Sequence, residues 1–508
     1  MKRMPEALTD GVFDLLILGG GITGAGVALD AVLRGLRVAL IDKGDFASGT
    51  SSVSSKLVHG GLRYLEHGDF HLVYEALHER GRLLRNAPHL VHPLRFVLPF
   101  YQNARVPAWK FRIGLILYDI LAGTRNIHRS HVTSLARLRR EFPGLQPKGL
   151  RGGAEYFDAQ MDDARLCLEV MRTAALNGAV VVNYVEAVHF KKSTVRALDH
   201  RSGREFSIVA KQVLNATGPW SDAVRHLAGD ESERLLRPTK GVHLIAADRG
   251  LPAAFLLLHP ADGRVFFVIP WLGKTLLGTT DAACDDSPDA LTVTPDDVAY
   301  LLAGFNHYFS PALSEADVLG RFAGLRPLIR TRPGEPSDLS REFQIHTSPS
   351  GLLTIAGGKY TTYRHMAEVI TDTVVHRLGL SRRCRTRSFR LDGTPEQPWQ
   401  RFAPAAIREL TARCHLDDET ARHLVARYGR RAVEVADYLD SDPALGRRVV
   451  PDEPDILAEF VYQRAHEMAL TPADFLLRRT RLGLFHPELL RNPPALLSSE
   501  YHRKTATG

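Results

Sequence analysis

The sequence predicts an α/β and α+β protein in three parts: a Rossmann-like domain built from discontinuous segments, an antiparallel-sheet domain, and an all-α C-terminal domain. Three observations predict it. Phe13–Asp42 reads FDLLILGGGITGAGVALDAVLRGLRVALID, two apolar runs separated by a glycine turn and a helical pattern. A later strand pattern runs into NATGPW at Asn215–Trp220, so the chain returns to a similar turn after an excursion. From about Cys384 the composition changes to short Arg-rich helices. A chain of 508 residues is also too long for one core and calls for two or three domains.

The first stretch is read as β-α-β. Leu15–Leu18 is a continuous apolar run, as in a strand buried on both faces of a parallel sheet. Gly19, Gly20 and Gly21, with Gly24, form GxGxxG. Gly19 permits the tight turn, Gly21 lets backbone approach a pyrophosphate, and Gly24 lets the helix lie close on the strand. The N–H groups and positive dipole end of the helix then face phosphates. Asp42, closing the second strand, is placed to accept both hydroxyls of an adenosine ribose.

Composition narrows the class. Hydrophobic residues make up 44% and charged residues 24%, as in soluble globular proteins. No apolar run reaches the length of about 18 residues that a membrane span requires. Lys2 and Arg3 precede an apolar stretch, but Asp10 and Asp14 interrupt it, so a signal peptide is not expected. Cys167, Cys284, Cys384 and Cys414 are scattered, which fits a reducing cytoplasm and argues against a metal or iron–sulfur site. The net charge of +8 is compatible with nucleic acid, an anionic membrane surface or an anionic substrate. With no RNA-binding aromatic signature and no helix-turn-helix, no nucleic-acid partner is expected.

After Asp42, KGDFASGTSSVSSK (Lys43–Lys56) is a loop of small donors suited to run beside phosphates and a cofactor ring. Val73–Ala87 reads as an amphipathic helix, and the proline-punctuated Pro88–Pro107 as strands of a different, antiparallel sheet. Trp109–Leu121 is helical; an interfacial membrane helix is one reading, a buried helix of the second domain the preferred one. Leu166–Leu176 is a helix closed by Gly178, and Val180–Tyr184 and Phe206–Asn215 contain strands. Lys240–Asp281 is β throughout, Pro288–Phe309 helical, and Phe322–Arg332 a strand and loop dense in arginine. Gly357–Gly358 precedes a helix running to about Leu378, a second anion-friendly helix start. In the last part Thr471, Pro472 and Asp474 suit N-cap, N1 and N3. The expected domains are 13–87 with 150–230 and 345–383, then 88–149 with 231–344, then 384–508.

Several of these segments together are specific. LVHGGLRYLEHG (Leu57–Gly68) and GGKYTTYRHMA (Gly357–Ala367) lie close to signatures of the FAD-dependent glycerol-3-phosphate dehydrogenases. GGGITGAG, TSSVSSK, DDARL, NATGPW, KGVH, FVIPW, GTTD, GLRP and RRTRLGL follow in the same order. The chain resembles the bacterial aerobic, quinone-linked form of that family over nearly its whole length. It departs in its N-terminal extension and around Asn126–Ser134. The resemblance implies an FAD-binding domain, a substrate domain over the isoalloxazine and a C-terminal helical cap. It also implies oxidation of sn-glycerol 3-phosphate to dihydroxyacetone phosphate, hydride passing from C2 to FAD N5. Further implications are electron delivery to ubiquinone or menaquinone and peripheral attachment to the inner face of the cytoplasmic membrane; a homodimer is compatible with all of this.

Such chemistry needs guanidinium donors for a phosphate dianion and a base for the hydroxyl. Arg63 and Arg326 sit in glycine-rich and apolar settings rather than on charged helix faces. Arg341, beside Glu342, reads equally as a neighbour's salt-bridge partner until the resemblance adds weight. Tyr64 offers a further hydroxyl. His243, in KGVHL, reads first as a structural residue of an alternating strand. The adjacent lysine and the resemblance make it the candidate base, kept neutral by nearby cations. Lys359 is placed to reach the flavin N1/O2 edge or the substrate oxygen, and either His243 or Lys359 takes the proton. For FAD the candidates are the Gly19–Gly24 turn with Thr23, then Asp42, Ser51, Ser52, Ser55, Lys56, Gly218, Gly358 and Lys359.

The alternatives are an oxidase of the same fold that reduces O2 to peroxide, and an amine- or amino-acid-oxidising flavoenzyme. More distant ones are an NAD-binding reductase and a nucleic-acid-binding protein using the basic C-terminal part.

Overall fold

The computed structural model describes residues 1–102, 107–278, 282–284, 286–330, 342–494 and 497; at 63, 66, 67 and 108 it describes the backbone only. β1 (Val12–Leu18), α1 (Ile22–Leu33) and β2 (Val38–Asp42) form the expected unit. β1 lies between β2 and Glu205–Asn215 in parallel register, Leu16 opposite Ala39 on one side and Val213 on the other. Leu353–Gly357 extends this parallel core beyond Glu205–Asn215 and Val180–Asn183 extends it beyond β2, while Phe343–Thr347 adds an antiparallel edge. Leu15, Leu16 and Ile17 are fully buried because α1 and its neighbouring helices cover one face of the sheet and the strands Val185–Lys191 and Thr194–Asp199 the other. Gly26 matters here: a Cβ on it would meet the Tyr363 ring at 2.8 Å, so its absence brings α1 against the helix Tyr363–Arg377.

Among the described residues the second sheet has ten strands. It is antiparallel except where Ala254–Leu258 runs parallel to Val91–Tyr101. Leu150–Met161 belongs to it, pairing with Val91–Tyr101, and so does Leu57–Val58. The nucleotide half therefore resumes at Asp162, not at residue 150. The sequence concealed this because GGAEYFDAQ lacks period-two alternation: both faces of the strand are covered, and Ala154, Tyr156 and Ala159 are all buried.

The helix Ala108–Ala122 forms where expected, but only one side of it is buried. Leu115 and Tyr118 face the interior; Trp109, Ile113, Ile116 and Ile120 are exposed, Ile120 by 67%. The preferred reading of a buried helix is corrected to a helix with an apolar outer face.

In the C-terminal domain Thr471 Oγ1 accepts the N–H of Asp474 at 3.2 Å, and Asp474 Oδ2 accepts that of Thr471 at 3.0 Å, the anticipated capping pair. The helix that this cap starts is interrupted by a wide turn at Phe475–Arg479. That turn points guanidinium groups back into the nucleotide half. Arg479 holds Asp45 through two bonds of 2.6 and 2.9 Å, and Arg478 reaches the same carboxylate at 2.5 Å. Arg165 grips Glu467 at 2.6 and 2.9 Å, and Arg431 pairs with Glu169. Much of the basic excess of the last third is thus spent inside the protein, with Arg431, Arg479 and Arg481 almost fully buried.

Candidate active site

A cavity of about 850 Å³ opens between the two sheets. Its floor is made by the turns after three parallel strands: Gly19–Thr23 after β1, Ala216–Gly218 after Glu205–Asn215, and Gly357–Lys359 after Leu353–Gly357. Ligands collect at the carboxyl ends of such strands, where helix N-termini converge. Its roof carries His243 and Arg326 from neighbouring strands of the second sheet, with Tyr64 from the turn Leu62–His67.

The glycine turn is built for close approach. Gly19 adopts φ +106°, and a Cβ there would lie 2.6 Å from the carbonyl oxygen of Ala216. A Cβ on Gly24 would run into the carbonyl of Gly19, so Gly24 serves the helix–strand contact rather than the cavity wall. Gly20 turns its N–H to Asp42 Oδ2 at 2.6 Å, while Asp42 Oδ1 accepts from Gly44 N–H at 2.8 Å. Asp42 still lines the cavity. Burial raises its pKa to about 6, against the two backbone hydrogen bonds that lower it. Ser51 Oγ accepts the N–H of Ile22 at 2.9 Å and so closes the first turn of α1.

Thr23, Ser51, Ser55, Gly218, Gly358 and Lys359 all line the cavity. Lys56 and Ser52 do not, which removes both from the cofactor set. Lys56 is fully buried, its Nζ 2.7 Å from Asp163 Oδ2 and 2.6 Å from the carbonyl of Ser52. Desolvation brings its pKa down to about 8, opposed by Asp163. Asp163 also accepts from Ser54 N–H at 3.0 Å, Ser54 Oγ at 2.7 Å and Arg481 Nη2 at 2.6 Å. Lysine in a serine-rich loop reads as a phosphate ligand; the distant aspartate that claims it is invisible in local sequence.

His243 is buried, its ring stacked on Phe322 at 4.9 Å with 14° between planes. Nε2 lies 2.9 Å from Ser55 Oγ, and Nδ1 has no hydrogen-bond partner among the described residues. Burial is the largest cause that holds its pKa well below the ordinary value, followed by the charges of Arg326 and Lys56. A neutral imidazole is what a proton acceptor requires. Lys359 Nζ sits 3.6 Å from the centroid of the Tyr64 ring, a cation–π contact at the cavity wall. Arg326 lines the cavity at the end of Val318–Arg326. The side chain of Arg63 and all of Arg341 lie outside the described residues.

Sequence reasoning passed over His59, whose ring lines the cavity beside Thr361 and whose N–H donates to Thr361 Oγ1 at 3.2 Å. Its position within LVHGG was the available signal. It also passed over Trp220 and Asp289, joined at 3.0 Å through the indole N–H near the β2 end of the cavity. Among the described residues, the side chains His423, Asp455 and Glu459 converge as metal ligands do. Arg427 already supplies the counter-charge there, paired with Asp455 and lying 2.9 Å from Glu459.

The crowded glycines of the turns after β1 and Leu353–Gly357 and a carboxylate at the end of β2 fit FAD: the turns would hold its diphosphate and Asp42 its ribose, with His243 and Lys359 placed to face the ring. Fold and site together define an FAD-dependent oxidoreductase, and residues 14–364 match the family described as FAD dependent oxidoreductase. Residues 384–492 match the C-terminal domain of alpha-glycerophosphate oxidase. The chain is 39% identical over 501 residues to the mitochondrial glycerol-3-phosphate dehydrogenase of Homo sapiens, covering 93% of this chain and 68% of that one. It is 37% identical over 502 residues to the aerobic glycerol-3-phosphate dehydrogenase of Staphylococcus saprophyticus, covering 94% and 88%. The FAD complex of the Bacillus halodurans glycerol-3-phosphate dehydrogenase superposes with a TM-score of 0.79 at 33% identity, covering 96% of this chain and 89% of that one. The chain belongs to the FAD-dependent glycerol-3-phosphate dehydrogenase family.

Proposed function

We propose that this protein oxidises sn-glycerol 3-phosphate to dihydroxyacetone phosphate and passes the electrons to a membrane quinone. The observation that carries the reading is that His243 and Arg326, on the roof of one cavity, face Lys359 and the glycine turns on its floor. When bound, FAD supplies the two-electron acceptor for the hydrogen at C2. The chain's own residues do the rest. Arg326 offers paired N–H donors to a phosphate, which fixes one end of the substrate. His243, held neutral, receives the hydroxyl proton. Lys359 places a positive charge where negative charge develops on the substrate oxygen or the ring edge. Arg63 and Arg341 complete the phosphate site in this reading. The test is anaerobic bleaching of the visible flavin spectrum by glycerol 3-phosphate, with glycerol as control; a spectrum unmoved by the phosphate ester refutes it.

Attachment to the cytoplasmic face of the membrane is supported by the helix Ala108–Ala122. Trp109, Ile113, Ile116 and Ile120 are exposed along it, and the cationic Lys110 and Arg112 are exposed beside them. An apolar stripe flanked by cations suits an anionic lipid interface, and no helix among the described residues is long and apolar enough to cross a membrane. Replacing Ile113, Ile116 and Ile120 together by Ser is expected to abolish co-sedimentation with anionic vesicles while glycerol 3-phosphate still bleaches the flavin. Undiminished co-sedimentation counts against this surface. Quinone as acceptor, rather than O2, is tested by comparing quinone reduction with peroxide release.

A further inference from the structure

We propose that Ser55 is the proton relay of this site: its Oγ–H donates to His243 Nε2, and its oxygen receives the proton of the substrate hydroxyl. The inference rests on the dehydrogenase reading above and adds a group that reading does not use.

The His243 ring has almost no freedom. Phe322 stacks on it at 4.9 Å, and on the paired strand Gly278 leaves just the room the ring occupies, since a Cβ there would lie 2.7 Å from Nε2. In that fixed orientation the ring makes one hydrogen bond, Nε2 to Ser55 Oγ at 2.9 Å, while Nδ1 is buried without a partner among the described residues. A neutral imidazole carries one N–H and one lone pair, and the partner decides which nitrogen has which. Among the described residues no carboxylate is bonded to Nδ1 to make that choice, and the charged groups among them that face the ring are Lys56 from the loop and Arg326 from the neighbouring strand, both cations.

Two arrangements satisfy the Ser55–His243 pair. If Nε2–H donates to Ser55, the cavity side offers no imidazole base. If Ser55 donates to Nε2, the hydrogen stays on Nδ1, and the Ser55 oxygen keeps lone pairs for a ligand in the cavity it lines. Only the second gives a proton acceptor. The step balances: the alcohol O–H breaks as a new O–H forms on Ser55, and the former Ser55 hydrogen bonds to Nε2. One proton equivalent thus passes from the alcohol through Ser55 to His243, while the electron pair of the C2–H bond would leave with that hydrogen for the flavin that this family carries.

Ser55 is also held in place from both sides. Ser54 donates N–H and Oγ–H to Asp163 Oδ2 at 3.0 and 2.7 Å. Lys56 N–H donates to Ser54 Oγ at 3.0 Å, and Lys56 adopts φ +60°, so the turn is tight at the serine that must aim its hydroxyl.

The first test needs no variant. In holoenzyme labelled with [15N]histidine, the His243 resonances, assigned by their loss in His243→Gln, are expected to show a bare Nε2 and a protonated Nδ1. A protonated Nε2 in the resting enzyme overturns the proposal. The second compares flavin reduction by glycerol 3-phosphate in Ser55→Ala and Ser55→Thr. Ser55→Ala is expected to retain FAD and substrate affinity, to reduce about 100-fold more slowly, and to lose the parent's pH dependence. Ser55→Thr, which keeps the hydroxyl, is expected to recover most of the rate. Reduction of Ser55→Ala at the parent rate overturns the proposal, as does a Ser55→Thr no faster than Ser55→Ala. A parent enzyme that glycerol 3-phosphate does not bleach refutes the substrate reading instead, and the tautomer measurement still decides the Ser55 bond.

Discussion

Gly278→Ala is a one-carbon change aimed at the base. Gly278 faces His243 across the strand pair, and a methyl carbon there would sit 2.8 Å from His243 Cγ and 2.7 Å from Nε2. Cδ2 of the ring lies closer still, and carbon contacts settle at roughly 3.5–4.0 Å, so the ring has to retreat by well over ~1 Å. It cannot do so freely, because Phe322 stacks against it from the other neighbouring strand at 4.9 Å. The ring therefore tilts, and the 2.9 Å bond to Ser55 is stretched or lost. Overpacking of this kind destabilises by about 1–3 kcal/mol, while a 1 Å misplacement of a reacting group lowers rate by about 100-fold. The variant is expected to bind FAD stoichiometrically, to melt a few degrees lower, and to show flavin reduction slowed by about two orders of magnitude in anaerobic stopped flow. A variant with parental reduction kinetics and normal FAD content would refute the placement of His243 in the proton path.

Arg326→Ala removes a cavity guanidinium and is expected to raise KM and lower kcat, with a loss of about 2–5 kcal/mol in transition-state binding and an unchanged flavin spectrum; parental steady-state constants eliminate the assignment. Asp42 has a folded pKa near 6 against an ordinary value of 3.8. Its proton is thus held more tightly folded than unfolded, and the penalty for ionising it is fully present above pH 6. Ribose hydroxyls donating to the carboxylate offset that penalty, so FAD affinity is expected to strengthen as pH rises through about 6. In Asp42→Asn it should be weaker and flat with pH; a variant titrating like the parent in a flavin-release assay contradicts this. Asp163→Asn leaves Lys56 and Arg481 without their shared carboxylate. Removing one partner of a buried ion pair costs about 3–5 kcal/mol, and the first thermal transition should fall by about 10 °C, a drop largely absent when Lys56→Met is added. A melting curve within a degree of the parent's would show the cluster to be energetically idle.

What was legible in the sequence follows from the range of the interactions concerned. The β1–α1–β2 unit, the Asn215–Trp220 return and the Thr471 capping set are local patterns, and each forms as read. Arg326 stood out by its apolar setting and His243 by the neighbouring lysine and the family resemblance, and both line the cavity. Lys56 was misread because its partner Asp163 is over 100 residues away, and Arg481, which shares that carboxylate, over 400, where neither composition nor period can register them. Leu150–Met161 was misplaced for a related reason: a strand covered on both faces has no alternation to announce which sheet it joins. The outer face of Ala108–Ala122 eluded the reading because an apolar helix written in one dimension does not say which of its sides finds a neighbour.

The carboxylates Asp45, Asp162, Asp163 and Glu169 belong to the first third of the chain, and the guanidinium groups that neutralise them, Arg431, Arg479 and Arg481, to its final hundred residues. During translation, then, the nucleotide half emerges from the ribosome with Asp45, Asp162 and Glu169 awaiting guanidinium groups made much later, and with Asp163 paired to Lys56 but not yet to Arg481. It cannot settle into its final interior until nearly the entire polypeptide is released. A nascent chain stalled before Arg479 should bind flavin poorly and remain open to proteases, whatever the completeness of its glycine turns.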